Sequence, residues 1–340
     1  MTIDVAGKTL LRRLVLGALL LLAAERVLNL YGPRHFVPTQ TLAAARGTGD
    51  DCLLYTGDSR TVAGIDAETL RRELGGSRGP ARVADVSVRA LDVPGQVIML
   101  RSWLDGDRRP GVVMLGVTID SLIRHPGPPP SAWAGPQAVK LVRSRRDDVF
   151  LHFPGWPRRD VLLGADFLVR RTNAFHGYES ILWERAQHAQ SLLTGAPPMS
   201  RFGGFENMPQ IAPAFERQAL ALLSLGSPWQ GWTLSPWFQW LRRELRARAV
   251  PLVLVELPMP ERFRERVSRT AAARALRTAL EQDLRAEAGR YVDFSDSPTI
   301  HDGDFGDPLH LRPQAARRFT AELAAILARD AVLSGRIQRD

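Results

Sequence analysis

Two short segments, one early and one late in the chain, carry the residue types of nucleophilic catalysis. The early segment follows an apolar run with Gly57-Asp58-Ser59, and the late segment places Asp307 three residues before His310. A serine hydroxyl becomes a nucleophile when a neighbouring base takes its proton, and an imidazole base needs an acid to fix its tautomer. The sequence therefore contains the three groups of a serine–histidine–acid triad.

Each segment has a simpler interpretation when it is taken alone. Gly-Asp-Ser is common in turns, and Asp-x-x-His ahead of a helix is often only a cap with a surface histidine. The two together are more specific, because the serine follows a predicted strand and the histidine precedes a predicted helix. Side chains at such boundaries reach solvent, so the combination favours a shared site.

The two segments resemble the SGNH (GDSL-type) hydrolase superfamily, and the resemblance extends from about Cys52 to Leu327. It implies that Ser59 is the nucleophile, that His310 is the base and that Asp307 orients the imidazole. The chain also has a predicted membrane segment, a Gly-Asp-Ser-Arg sequence and a long insertion. With these features it looks most like the bacterial envelope-modifying branch, which includes the lipoteichoic-acid D-alanylation protein and the alginate O-acetylation proteins.

The resemblance also implies which groups bind the oxyanion. They are the backbone N–H groups of Ser59 and Gly95, together with the side chain that follows the third strand. The family has Gly-x-Asn there, whereas this chain has Thr118. A threonine hydroxyl is also a donor, and losing one such donor costs a serine protease roughly 10²–10³ in rate. The simpler interpretation is a loop glycine and a strand-end threonine.

Alternating strands and helices predict how these groups are positioned. The pattern indicates an α/β fold with a doubly wound parallel sheet covered on both faces, and the resemblance implies the flavodoxin-like SGNH arrangement. Ligands bind outside the carboxyl ends of the strands in such sheets, so the candidate residues are expected to converge there. The predicted strands begin near Leu53, Ala84, Val112, Leu252 and Tyr291.

The N-terminus predicts a membrane segment. Lys8, Arg12 and Arg13 precede an uninterrupted apolar run over 14–24, and positive charge before such a run is typical of a secretion signal whose basic side stays in the cytoplasm. The run is shorter than the roughly 20 residues of a spanning helix. The segment 9–31 is long enough if the two arginines extend to the interface.

We therefore predict a signal anchor over 1–31 and a polar linker over 32–49. A cleaved signal peptide and a buried amphipathic helix of a cytosolic protein are the alternatives. The catalytic domain is predicted over 50–330, with an insertion at about 125–235 that begins in a proline-rich stretch. Residues 331–340 are predicted to be a tail.

Composition excludes several classes of function. The chain has 340 residues, a formal net charge of +9 and a single cysteine, Cys52, which excludes an internal disulfide and a cysteine metal site. Its arginines are scattered among acids and form no aromatic-interleaved basic stripe, so no nucleic-acid partner is expected. The acidic loop 302–307 lacks the spacing of an EF-hand. No metal or cofactor is predicted.

These observations predict a serine-dependent esterase or O-acyltransferase outside the cytoplasmic membrane. The resemblance implies that its substrate is an acylated envelope polysaccharide, a related glycoconjugate or a small ester, and that a membrane acyltransferase is a possible partner. The alternative is a non-catalytic envelope scaffold or binding protein that keeps the fold. Thr118 in place of asparagine favours that alternative, whereas intact Ser59, Asp307 and His310 oppose it.

Overall fold

The computed structural model describes residues 5–35, 37–88, 92–104, 108–124, 189, 233–265, 267–307 and 309–337. Almost all of the predicted insertion therefore lies outside the described residues. The remainder forms a five-stranded parallel sheet with helices on both faces, and a short antiparallel pair of strands.

The described elements alternate along the chain as the sequence predicts. Before residue 125 their order is α1 (Val5–His35), α2 (Val37–Arg46), β1 (Leu53–Thr56), α3 (Ser59–Gly64), α4 (Ala67–Gly75), β2 (Val83–Asp85), α5 (Val93–Trp103), β3 (Val112–Val117) and β4 (Ile123–Arg124). After residue 232 it is β5 (Thr233–Leu234), α6 (Pro236–Ala247), β6 (Leu252–Glu256), α7 (Glu261–Arg264), α8 (Ala271–Ala286), β7 (Arg290–Asp293), α9 (Pro313–Arg329) and α10 (Ala331–Ile337). Short 3₁₀ helices lie at Gly76–Arg78, Ile119–Leu122 and Asp302–Asp304.

The sheet has the strand order β2-β1-β3-β6-β7, and all of its neighbouring strands are parallel. The order reverses after β2, which is the pattern of flavodoxin-like doubly wound sheets. Thr56 lies opposite Leu115, and Leu115 lies opposite Leu254. This register brings the carboxyl ends of β1, β3 and β6 to one edge of the sheet. The predicted α/β fold with a parallel sheet is confirmed.

Two hydrophobic clusters, one on each face, hold the helices against the sheet. Successive strand residues point to opposite faces, so Leu53 packs with Leu70 of α4 and Phe319 of α9, whereas Leu54 packs with Val97 of α5. All five of these side chains are buried. Because both faces are covered, the strands are apolar at nearly every position, which explains the continuous runs in the sequence.

Two predicted boundaries are wrong. The polar linker predicted over 32–49 contains helix α2, which packs against β2 and α5 with Ala45 buried. The tail predicted over 331–340 contains α10, whose Leu333 and Ile337 are buried in the cluster around β3. In both places a few apolar residues bury against the core, so the folded domain extends beyond 50–330 at both ends.

The N-terminal segment is helical, since α1 covers Val5–His35. Within the part of the chain that the structure describes, no helix combines the length and the apolar character needed to cross a membrane. The predicted membrane-spanning helix is therefore not supported by the fold.

Candidate active site

The candidate nucleophile stands where β1 turns into α3. Asp58 is the N-cap of this helix, and its Oδ1 accepts hydrogen bonds from the N–H groups of Arg60, at 2.9 Å, and Thr61, at 3.4 Å. Short polar side chains are favoured at N-caps because they satisfy these amides. Ser59 is then the first helical residue, whose own N–H has no acceptor inside the helix. The turn presents both the hydroxyl and the N–H of Ser59 at the carboxyl edge of the sheet.

Close packing fixes this turn against β3. Thr61 is buried and lies between Gly57 and Gly116. A Cβ atom at Gly57 would lie 1.8 Å from Thr61 Oγ1, and one at Gly116 would lie 2.3 Å from the same atom. Both positions therefore require glycine, because only glycine lets the backbones approach so closely. The glycines of the two sequence motifs thus have the same role, which is to seat α3.

The structure brings the three predicted catalytic side chains together. Ser59 Oγ lies 2.9 Å from His310 Nε2. On the other side of the imidazole, His310 Nδ1 lies 2.7 Å and 2.8 Å from the two carboxylate oxygens of Asp307. A carboxylate only accepts hydrogen bonds, so Nδ1 carries the proton and Nε2 presents its lone pair to the serine hydroxyl. This is the arrangement in which the imidazole can take the proton of Ser59.

The electrostatics of Asp307 support this tautomer. Burial by itself would raise the pKa of the Asp307 carboxyl, but hydrogen bonds from His310 and from the N–H groups of Leu309 and His310 hold it below its ordinary value. The side chains of Asp307 and His310 are only 4% and 9% exposed. The acid therefore stays ionised beside the imidazole, in surroundings where water competes little for the same hydrogen bonds.

Backbone hydrogen bonds close the loop that carries the acid and the base. Phe305 and Leu311 form an antiparallel bridge, and the N–H of Gly306 donates to the carbonyl oxygen of His310 at 2.9 Å. Arg312 then joins the loop to the start of α9, since its Nε donates to the Phe305 carbonyl at 3.1 Å. The loop is thus anchored at both of its ends, which limits the movement of His310 relative to Ser59.

The oxyanion role predicted for Gly95 requires correction. Gly95 is the third residue of α5, and its N–H donates to Oδ1 of the N-cap residue Asp92 at 3.0 Å. The amide is therefore already occupied within the helix cap. Burial raises the pKa of Asp92 to about 6, although the hydrogen bond from Gly95 opposes this rise. Of the three predicted donors, the Ser59 N–H and the Thr118 side chain therefore remain candidates.

Arg60 connects Thr118 to the turn between β1 and α3 that carries Ser59. The residue is 1% exposed, and its Oγ1 accepts a hydrogen bond from Arg60 Nη2 at 3.1 Å. The same guanidinium donates to Asp58 Oδ2 from Nη2 at 2.7 Å and from Nε at 3.0 Å. Arg60 was not among the site residues predicted from the sequence. Its only sequence signal is its position directly after Ser59.

A buried acid lies farther along the same edge. Glu256 ends β6 with no exposed surface, and each of its carboxylate oxygens accepts a 2.7 Å hydrogen bond from Arg277. The Tyr291 hydroxyl donates to it as well. Burial raises the pKa of Glu256, while Arg277 opposes that rise. Because the carboxylate is satisfied by β7 and α8, we assign it to holding these elements together.

Among the described residues, no group of three or more histidine, cysteine, aspartate or glutamate side chains is placed to hold a metal ion. The chain matches no protein-family model, and no curated protein sequence matches it. The geometry of Ser59, His310 and Asp307, with the contacts that surround them, is therefore the basis for assigning a function.

Proposed function

We propose that the protein is a serine-dependent enzyme of ester chemistry, an esterase or an O-acyltransferase with an SGNH-type fold. One observation carries the proposal, namely the continuous line of hydrogen bonds from Ser59 Oγ to His310 Nε2 and from His310 Nδ1 to Asp307. The three residues come from segments about 250 positions apart. Such an alignment is what a serine nucleophile uses for its activation, and the carboxyl edge of a parallel sheet is where ligands bind in open α/β folds.

In the first half-reaction, Ser59 Oγ forms a bond to the carbonyl carbon of the ester while its proton moves to His310 Nε2. The carbonyl oxygen becomes an oxyanion, which accepts hydrogen bonds from the Ser59 N–H and from Thr118. When the tetrahedral intermediate collapses, the bond to the alcohol oxygen breaks and His310 returns the proton to it. Asp307 stays ionised and stabilises the imidazolium. An acyl group remains on Ser59.

In the second half-reaction, an acceptor hydroxyl attacks the acyl group and His310 again takes and returns one proton. Water as the acceptor gives hydrolysis, whereas a sugar hydroxyl gives acyl transfer. Both reactions use the same residues. From the resemblance of the Gly-Asp-Ser-Arg and Asp-x-x-His segments to envelope-modifying proteins, we propose an acylated envelope carbohydrate or a related small ester as the substrate class, with a membrane acyltransferase as a possible partner.

A non-catalytic scaffold is the second candidate, and a specific observation favours it. Of the two donors that the resemblance adds to the Ser59 N–H, the Gly95 amide is occupied by Asp92 and the asparagine is replaced by Thr118. A binding protein that kept the three triad residues but lost a working oxyanion site would show these two features. The two candidates differ in whether Ser59 reacts.

We further propose that the protein is attached to the cytoplasmic membrane through its N-terminal segment, with the α/β domain on the outer side. The basic residues ahead of the apolar run support this orientation. In addition, ten of the eleven large hydrophobic side chains that are exposed among the described residues belong to α1. Their exposure opposes the alternative of a buried amphipathic helix. We expect a phosphatase fused after Asp340 to be active and a cytosolic reporter fused at the same point to be inactive.

Covalent labelling tests the catalytic proposal directly. A fluorophosphonate probe is expected to label the wild-type protein and to leave Ser59→Ala unlabelled. Ser268→Ala is the control, because Ser268 is buried and its hydroxyl donates to the carbonyl of Arg264. That variant is expected to label like the wild type. A folded wild-type protein that takes up no probe and hydrolyses no small acetyl ester would establish the scaffold instead.

A further inference from the structure

Thr118 occupies a helix-capping position without capping the helix. It is the N-cap of the 3₁₀ helix Ile119–Leu122, yet its side chain makes no cap hydrogen bond. The carbonyl oxygen of Thr118 instead accepts both the N–H and the hydroxyl of Ser121. A threonine at an N-cap normally accepts a backbone N–H of the first turn. Here its oxygen is used by Arg60, so the side chain is directed to the nucleophile turn.

The contact with Arg60 determines what the Thr118 hydroxyl can do. A hydroxyl has two lone pairs and one proton. Because Arg60 Nη2 donates to one lone pair, the O–H bond has to point away from the guanidinium. A cation on the oxygen also makes the hydroxyl a stronger donor, since hydrogen bonds in a chain polarise one another. Arg60 thereby turns a rotating hydroxyl into an oriented one.

Arg60 is in turn held by Asp58, the N-cap residue of α3. Asp58 Oδ2 accepts from Nε and Nη2 of Arg60, while Asp58 Oδ1 caps the first turn of α3. Burial by itself would lower the pKa of Arg60, but attraction by Asp58, and then by Asp120 and Glu256, raises it above its ordinary value. The guanidinium is therefore a fixed cation. One carboxylate sets the position of both Ser59 and the group that orients Thr118.

We propose that Arg60 is a positioning residue for the oxyanion site, which holds the Thr118 hydroxyl so that its proton faces the oxygen of the acyl group attacked by Ser59. This inference rests on the proposed ester chemistry and deepens it. The Asp58–Arg60–Thr118 unit does the work that the asparagine amide does in the resembled family. Arg60 is not free to bind a substrate anion through Nη2, because that nitrogen already serves Asp58 and Thr118.

A purely structural role for Arg60 makes a different prediction. If Arg60 only linked α3 to the segment after β3, its removal would shift Ser59. The resulting loss of activity would then add to the loss of activity caused by removing the Thr118 hydroxyl. If Arg60 acts through Thr118, its loss has no further effect once the hydroxyl is gone. The two cases are separated by a double-mutant cycle, in which residues that act as a unit are non-additive.

The experiment measures kcat and KM for a small acetyl ester with the variants Arg60→Met, Thr118→Val and the double variant. Each single change is expected to lower kcat and kcat/KM by about 10²-fold with little change in KM. The double variant is expected to fall by about the same factor. Losses that multiply, to about 10⁴-fold, would overturn the proposal, as would a change confined to KM.

Two further variants keep the test decisive. Arg242→Met removes an arginine of similar exposure, 13% against 16% for Arg60, that pairs with Asp283 of α8 and with its C-cap residue Glu287. It is expected to leave kcat/KM within about threefold. Arg60→Lys keeps the charge for Asp58 but lacks the planar fork that serves two acceptors. We expect it to lower kcat/KM about tenfold in the wild-type background and not at all beside Thr118→Val. An equal loss in both backgrounds would overturn the proposal.

Failure of the proposed function gives a separate signature. In that case the wild-type protein itself shows no Ser59-dependent labelling by a fluorophosphonate and no turnover. The positioning role proposed for Arg60 is then overturned together with the proposed function. When labelling is present and the cycle is additive, only the role of Arg60 is overturned.

Discussion

The triad side and the oxyanion side of the candidate site are built from different kinds of contact. On the triad side, Ser59, His310 and Asp307 bond directly to one another, at 2.9 Å and 2.7 Å. On the oxyanion side, the side-chain donor Thr118 is held by Arg60, which is held in turn by a helix cap. The candidate triad is therefore held by its own hydrogen bonds, whereas the donor proposed at Thr118 depends on a second layer of residues for its orientation.

The largest expected effect is on the triad side. His310→Ala removes the base, and we expect kcat/KM for a small acetyl ester to fall by about 10⁴-fold or more with the fold retained. His301→Ala is the control, because His301 is exposed and lies at the start of the same loop region. A loss of less than tenfold in His310→Ala would mean that Ser59 is activated in some other way.

The next effect tests the acid. Asp307→Asn presents an amide to the imidazole and loses control of its tautomer, so kcat is expected to fall by about 10³-fold. Asp302→Asn and Asp304→Asn are controls from the same loop region. The first accepts the N–H of Glu261 and the second pairs with Arg318. If all three variants lost activity equally, the pairing of Asp307 with His310 would be wrong.

The oxyanion side is expected to show a smaller loss. Thr118→Val keeps the shape of the side chain without its donor, and we expect about 2–4 kcal/mol of lost transition-state stabilisation in kcat/KM. Its melting temperature should change little. Thr118→Asn restores the donor of the resembled family and is expected to keep or raise the rate. An unchanged rate in the valine variant would leave the Ser59 N–H as the donor to the oxyanion.

The smallest catalytic effect is expected at Asp92, because the N–H of its partner Gly95 is already used within the helix cap. Asp92→Asn keeps a capping side chain, so kcat/KM should stay within about threefold of wild type. A larger change in kcat/KM would indicate that Gly95 does contribute to the oxyanion site. Stability gives a second measurement, since burial raises the pKa of Asp92 to about 6 from an ordinary value of 3.8.

The sign of that stability effect follows from linkage. The folded state holds the Asp92 proton more firmly than the unfolded state, so the wild-type protein loses free energy of unfolding as the pH rises from about 4 through about 6. Asp92→Asn cannot ionise and avoids this loss. Chemical denaturation should therefore show the variant to be more stable at pH 8, by up to about 3 kcal/mol, with the advantage gone at pH 4.

Local sequence signals predicted the sheet and the convergence of Ser59, His310 and Asp307. The apolar run at Leu252–Leu257 marks β6, observed at Leu252–Glu256, and Pro313 marks the start of α9. Ser59 and His310 then meet because parallel strands bring their carboxyl ends to one edge. Helix α2 was missed, because an isolated sequence does not show that Ala45 has a surface to pack against.

The oxyanion side was harder to predict, for two different reasons. Asp92 followed by Pro94 is a helix-start signal that the sequence does contain, and the oxyanion role that the resemblance implies for Gly95 outweighed it. The contact between Arg60 and Thr118 has no such signal. It depends on the register of β1 against β3, where Thr56 lies opposite Leu115, and on the direction of a long side chain. Neither is encoded in local spacing.

The pairing of β4 with β5 has a consequence for how such a protein can evolve. Arg124 lies opposite Thr233, and the Leu122 carbonyl accepts the N–H of Ser235 at 2.8 Å, so the intervening chain departs and returns at adjacent points. The free energy of closing a loop rises only slowly with its length. The chain between β4 and β5 can therefore be lengthened, shortened or replaced during evolution with little cost to the sheet. Because that stretch begins after β4, on the segment that follows Thr118, new substrate preferences can arise beside the candidate triad without any redesign of the sheet.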